Sequence, residues 1–301
     1  MKEYNPYLNR GPVRNEEMFF GRTKEKENIY EYLQALENVS IVGEPKIGKS
    51  SLLINMCRKD SVRNIFGPEF CMVYVNLQDI GEVSLENFYT LIREELIKNE
   101  IEADFNSSKT FRNFITDRYE DSDEKLALCL DEFEVLTNSN LKHDFYSFLR
   151  GISVKKNFAF IIASRQYLSQ ICQTENALDS ELWNVFQTFV LEGLSSEEAK
   201  QLIEVPFQRV NRELPIEAEK ILELTKYNPF NIVAACYHVF DGVTSINDLK
   251  KLYKKELDPH DIRRQSVLSK KAVRVIWFFY GLTALFIIIS ILIYLLRGET
   301  G

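Results

Sequence analysis

The octapeptide Gly43-Glu44-Pro45-Lys46-Ile47-Gly48-Lys49-Ser50 fits G-x-x-x-x-G-K-[ST] at every fixed position. Few short patterns restrict a chain so strongly, because each fixed residue has a physical task. Gly43 and Gly48 allow backbone angles and close approaches that a Cβ would block. The loop N–H groups then point inward at phosphate oxygens, aided by the N-terminus of the next helix. Lys49 is expected to reach the outer phosphates, and the Ser50 hydroxyl to ligate Mg²⁺. NVSIV ahead of the loop is a short β-prone run, and SSLLINMC behind it sets Leu52, Leu53 and Met56 on one helical face. Strand, loop and helix in that order predict an α/β parallel-sheet core.

Such a loop calls for an acidic site at another strand end, and LALCLDEFEVL supplies one. Leu126 to Leu130 is apolar and then breaks into Asp131-Glu132, the pattern of a buried parallel strand whose carboxyl end faces a ligand. Asp131 is expected to hold Mg²⁺ through water, and Glu132 to orient and deprotonate an attacking water. Taken alone, the pair also fits a solvated strand end. Glu134 is expected to face solvent or to cap the next segment. A third strand, Phe158 to Ala163, ends in Ser164-Arg165. Arg165 reads either as a γ-phosphate sensor, since its planar fork suits phosphate oxygens, or as a surface salt-bridge arginine. CMVYVNL from Cys71 adds a further strand, and YEDSDEK from Tyr119 reads as an acidic surface loop.

After VLEGL the pattern turns helical. LSSEEAKQLIEVP opens with a capping box, Ser195 with Glu198, and PIEAEKILELT and PFNIVAACYHVF follow at helical spacing. Helices without strands predict a small bundle after the sheet. The expected organisation is a core over 1–194, a helical lid over 195–246, a basic linker over 247–274 and a transmembrane helix over 275–296. The linker includes INDLKKLYKKEL, one amphipathic helix by its Leu249, Leu252, Tyr253 and Leu257.

Val275 to Leu296 carries no charge. As a helix it would span roughly 33 Å, against a bilayer core of about 30 Å. Trp277, Tyr280 and Tyr294 sit where interfacial anchors belong. Lys270, Lys271 and Arg274 precede the span and only Arg297 follows it, which places the N-terminal body in the cytoplasm. Nine Lys/Arg and three Asp/Glu lie between Lys250 and Arg274. That stretch either touches anionic lipid or is a solvated linker with ordinary stop-transfer charges.

Since the whole chain has a net charge of −7, the body ahead of Lys250 is more acidic still. It lacks the basic footprint that phosphate backbones need, so no direct nucleic-acid partner is expected. The five cysteines form no CxxC pair and there are three histidines, which argues against a zinc site and for a reducing compartment. The start MKEYNPYLNR has no apolar run, so no secretory leader is expected. No N/T-K-x-D occurs, which favours ATP over GTP.

FFGRTKE, GEPKIGKSSLL, LDEFEVL, IIASR and KYNPF occur in one order. Together they resemble the AAA+-related ATPases of the STAND clade and the neighbouring prokaryotic ATPases, over roughly Asn5 to Phe240. The resemblance implies a P-loop NTPase (AAA+-like) fold with ATP and Mg²⁺ as ligands. It places Phe20, Gly21 and Arg22 at the adenine. It puts Gly43, Lys46, Gly48, Lys49, Ser50 and Ser51 in the phosphate cradle. Pro229 would close over the base from the lid, or start a helix at its first position, or do both. Relatives usually carry Gly-x-Pro there, where this chain has Tyr227-Asn228-Pro229.

The resulting expectation is an ATP-hydrolysing switch, anchored by a single pass in a bacterial inner membrane. It would form a homo-oligomer on ATP binding and answer to a protein effector or sensor partner, with membrane lipid as a further contact. Bacterial relatives extend the expectation to defence. Two alternatives stand beside it. One is an AAA+-type remodelling ATPase, which needs an arginine finger such as Arg112 or Arg150. The other is a scaffold that binds nucleotide without turnover.

Overall fold

Strands with no polar face must be covered on both sides, and that requirement shapes this protein. The computed structural model describes residues 4–8, 10–138, 143–172 and 181–253. Its strands are β1 (Asn38–Val42), β2 (Phe70–Asn76), β3 (Lys125–Asp131), β4 (Phe158–Ser164) and β5 (Phe186–Val190). They form one parallel sheet in the order β2-β3-β4-β1-β5. All five residues of β1 and all seven of β4 are buried. At the sheet edge β5 exposes most of its length.

Residues alternate between the two faces, as the period of a strand demands. Ala127 and Cys129 of β3, with Ala159, Ile161 and Ala163 of β4, pack with α1 (Thr23–Gln34), α2 (Lys49–Met56) and α3 (Lys59–Phe66). Leu126, Leu128, Leu130, Phe158, Phe160 and Ile162 face the other way. There they meet α4 (Leu85–Lys98), α5 (Ser108–Tyr119), α6 (His143–Ser153) and α7 (Leu168–Cys172). The first face is thus floored by small side chains, which lets α2 lie close on the sheet. The second is filled with aromatic rings, among them Phe88, Tyr89, Phe105, Phe111 and Phe148. Asp131 continues the odd-numbered series, so the same parity aims it at the α2 side.

Three further helices follow the sheet: α8 (Ser196–Arg209), α9 (Ala218–Thr225) and α10 (Pro229–Phe240). The Ser195–Glu198 capping box forms at the start of α8. Pro206 lies inside α8 and lacks the N–H that would bond Leu202 O. The Tyr7 hydroxyl comes to this spot. It donates to Ile203 O and lies 3.5 Å from Leu202 O. The Tyr7 ring packs against Phe207 and Phe240, and Asn5 Nδ2 donates to Tyr237 O and to the Asp241 carboxylate. The N-terminal segment is therefore a strap across α8 and α10.

YEDSDEK differs from expectation at its first residue. Tyr119 is the buried last residue of α5, and the surface loop starts after it. The chain divides after Thr244 into two units, and in the second, residues 246–253 are helical with Leu249 buried. Among the described residues no helix is long and apolar enough to cross a membrane. The span expected at Val275 to Leu296 lies outside the described residues, as does the linker from residue 254.

Removing the Tyr7 hydroxyl leaves a buried carbonyl without its donor, so Tyr7→Phe should lower the unfolding free energy by about 1–2 kcal/mol. Tyr7→Ala also leaves a cavity and should cost about 3–5 kcal/mol. Pro206→Ala restores the missing helix N–H, so it should recover part of the Tyr7→Phe loss in urea denaturation.

Candidate nucleotide site

The rim of the sheet at the strands' carboxyl ends gathers the residues singled out above. β4 lies between β1 and β3, with Val42 paired to Ser164 and Leu130 to Ile162. Sheet order alone therefore sets Arg165 between the Gly43–Ser50 loop and the Asp131-Glu132 pair. Gly43 N donates to Ser164 O, and Leu191 N to Val42 O, which ties the loop's base to the sheet.

Both motif glycines are required by geometry. A Cβ on Gly43 would stand 2.8 Å from Leu191 O and 3.0 Å from Ile47 Cγ2. Gly48 holds φ +105°, a left-handed angle that side chains rarely take. It caps α2, so the loop ends at a helix N-terminus. Lys49 is buried, and its Nζ donates to Gly43 O at 2.7 Å and Glu44 O at 3.1 Å. Among the described residues no carboxylate stands in ion-pair range of it. Burial lowers the Lys49 pKa against the pull of Glu132, Glu134 and Asp131. A buried ammonium held only by carbonyls is a fitting receptor for phosphate oxygens.

Asp131 is 1 % exposed. It accepts from the Tyr74 hydroxyl at 2.8 Å and from Glu132 N at 3.0 Å, and the Ser50 hydroxyl stands near enough to favour its charged form. Burial pushes its carboxyl up, while these hydrogen bonds pull it down. Ser50 and Asp131 meeting on the α2 side is the oxygen set that Mg²⁺ takes, usually completed by water and phosphate. Glu132 adopts φ +55°, an uncommon angle for a residue with a side chain, and so turns the chain sharply off β3. Its carboxylate pairs with Arg165 Nη2 at 2.9 Å.

Several residues make contacts other than those expected. Glu134 does not face solvent: its half-buried carboxylate meets Arg165 Nε at 2.8 Å. Lys46 extends its ammonium over the Phe230 ring, 4.0 Å from the centroid, and Ser51 Oγ accepts from Val13 N. Arg22 is buried, and its guanidinium donates to Ile47 O, Glu192 O and Glu25. It braces the loop from behind where the resemblance had put it at the adenine. Gly21 lies against Glu198 of α8, 2.8 Å from where its own Cβ would be, and Phe20 lies under Arg209 of the same helix. Pro229 is both the first residue of α10 and the neighbour of Gly48, at 3.7 Å from its Cβ position. Tyr74 was missed by sequence reasoning, although its place two residues before the end of a strand beside β3 was a usable signal.

A sequence profile of the family described as Novel STAND NTPase 1 matches residues 8–229. The chain belongs to that family. No protein in the curated set matches it. Its fold is similar to that of a Walker-type ATPase of Pyrococcus abyssi, with a TM-score of 0.66 and 14 % identity over 89 % of this chain and 81 % of that one. The Aeropyrum pernix ORC2 protein, solved as ADPNP–ADP complexes, matches with a TM-score of 0.56 and 14 % identity over 85 % of this chain and 72 % of that one. Domain III of the Thermotoga maritima replication initiation protein DnaA matches at 0.51 and 15 % identity, over 82 % and 97 %.

In this STAND NTPase the departure at Tyr227 has a measurable side. Tyr227 holds φ +59°, beside Lys226 at +52°, angles that glycine takes freely and a residue with a Cβ resists. The turn is held by Leu194 N donating to Tyr227 O, and Gly193 packs against the Tyr227 backbone. The candidate fingers are placed as follows: Arg112 lies over the Phe148 ring, and Arg150 is a loose 3.8 Å from Glu181.

Tyr227→Gly should raise the unfolding free energy by about 0.5–1 kcal/mol, through relief of left-handed strain. Arg22→Ala removes three contacts of a buried cation and should lower it by about 2–4 kcal/mol, with weaker nucleotide binding read by calorimetry.

Proposed function

We propose that this protein is an ATP-binding and ATP-hydrolysing switch that couples its nucleotide state to assembly or partner signalling at the cytoplasmic face of a bacterial inner membrane. The observation that carries the nucleotide part is the buried Lys49 ammonium, which among the described residues is partnered by loop carbonyls alone, with Ser50 next to it in the chain and the buried Asp131 at the end of β3. In this reading Lys49 and the loop N–H groups hold the phosphates. Ser50 and Asp131 hold Mg²⁺, which supplies charge neutralisation for the leaving phosphate. Glu132 accepts the proton of the attacking water, and Arg165 reads the γ-phosphate. The residues 195–246 act as the lid, through the Pro229–Gly48 and Lys46–Phe230 contacts. The ADPNP and ADP complexes of the archaeal ORC2 protein support an adenine nucleotide.

The membrane part rests on the uncharged run Val275 to Leu296 and on the basic residues before it. Clustering of the anchored bodies on ATP binding, and a role in bacterial defence, extend the same reading from the STAND resemblance.

Lys49→Ala should abolish tight ATP binding, whereas Glu132→Gln should keep binding and lower turnover by a hundredfold or more, on the order of the loss when a general base is removed. Normal hydrolysis by Glu132→Gln would remove Glu132 as the base. The full chain should pellet with membranes in high salt and be released by detergent, and deletion of residues 272–301 should make it soluble. Release of the full chain by salt alone would mean that the segment does not span the bilayer.

A further inference from the structure

Arg165 has two partners, and one of them stands outside the machinery assigned above. Its Nη2 meets Glu132 Oε2 at 2.9 Å. Its Nε meets Glu134 Oε1 at 2.8 Å, an ion pair too bent to count as a hydrogen bond. The second oxygen of Glu134 accepts from the Arg165 backbone N at 3.4 Å. Glu134 thus holds the residue at both its backbone and its inner guanidinium nitrogen, while Glu132 holds only the outer one.

Glu134 is itself firmly placed. It belongs to the short 3-10 segment Phe133–Asn138, where Phe133 and Leu136 are fully buried and Val135 N donates to Glu132 O. The left-handed turn at Glu132 carries the chain from β3 directly into this segment, so both carboxylates flank the end of β4. An arginine side chain is long and loses much rotamer freedom when ordered, so an anchor near its backbone reduces what a ligand must still immobilise.

We infer that Glu134 is a positioning residue that anchors Arg165, leaving only the Nη2 end to move between Glu132 and a terminal phosphate oxygen. The inference rests on the roles proposed for Glu132 and Arg165. Its consequence is that the base is engaged by Arg165 until a third phosphate competes for Nη2. ADP has no such oxygen and leaves Glu132 paired. The acid at position 134 is thereby what makes Arg165 discriminate ATP from ADP, although it touches neither nucleotide nor water.

The test is the affinity ratio for a non-hydrolysable ATP analogue over ADP, with Mg²⁺, measured calorimetrically on the full chain in detergent. Arg165→Ala should lower the ratio roughly ten- to hundredfold, as loss of a charge-assisted contact does. Glu134→Ala should lower it by a similar factor, and Glu134→Gln, which keeps an acceptor of the same reach, by less. The double variant Glu134→Ala/Arg165→Ala should be no worse than Arg165→Ala alone, because both changes remove one device. Weakening of ATP and ADP binding by equal factors in both Glu134 variants would mean that Glu134 only supports its own segment, and would overturn the inference. So would an unchanged ratio in Glu134→Ala while Arg165→Ala lowers it. An unchanged ratio in Arg165→Ala would overturn the sensor role and this inference together. The readout needs no turnover, so a failure of Glu132 as base shows separately in the hydrolysis of Glu132→Gln.

Discussion

Burial of a parallel sheet on both faces is the constraint from which the rest of this structure follows. Parallel strands all end at the same rim, and the apolar runs of β3 and β4 stop there at polar residues. β1 stops at the glycine loop, β3 at Asp131-Glu132, and β4 at Ser164-Arg165. Chemistry therefore collects at one edge without any strand bending to reach it. Helix α2 can approach because alanines and Cys129 floor its side of the sheet. The same parity points Asp131 toward Ser50.

That rim is a tight arrangement of opposite charges. Asp131, Glu132 and Glu134 face Lys49 and Arg165, and burial works against the charged forms of Asp131, Glu134 and Lys49. Each group is held by something. Asp131 has the Tyr74 hydroxyl and Glu132 N, Lys49 has two carbonyls, and Arg165 spans both glutamates. Such an assembly stays together as it stands, and under the proposed function polyphosphate and a divalent cation would take the place of the internal partners.

Around the rim, support comes from segments remote in sequence. Arg22 braces the glycine loop from α1, and Tyr7 covers the carbonyls that Pro206 disturbs in α8. These contacts connect the N-terminal segment to the loop and to the last helices of the same unit. Glu132 and Tyr227 are both left-handed without being glycine, and both sit beside the site.

The four strands read from hydrophobic pattern are legible because a buried strand is written mostly in apolar residues, unbroken in the middle of β3 and β4 and interrupted in β1 by Ser40. The glycine loop was legible because its backbone demands particular residues at particular spacings, and the Ser195–Glu198 cap because it is local. Helices α4 and α5, with Tyr119 at the end of α5, leave a fainter trace in the sequence, since amphipathic stretches between strands carry less contrast. The contacts that Glu134, Tyr74 and Arg22 make could not be read from spacing along the chain. Their partners lie 31, 57 and 170 residues away, and only the sheet order decides which strand ends become neighbours. What the sequence by itself determined was the local pattern: where the glycine loop joins strand to helix, which strand ends in acids, where a helix begins. What only the tertiary structure decided was the pairing of charges, because insertion of β4 between β1 and β3 brings Arg165 to Glu132 and Glu134, and no spacing along the chain encodes that juxtaposition.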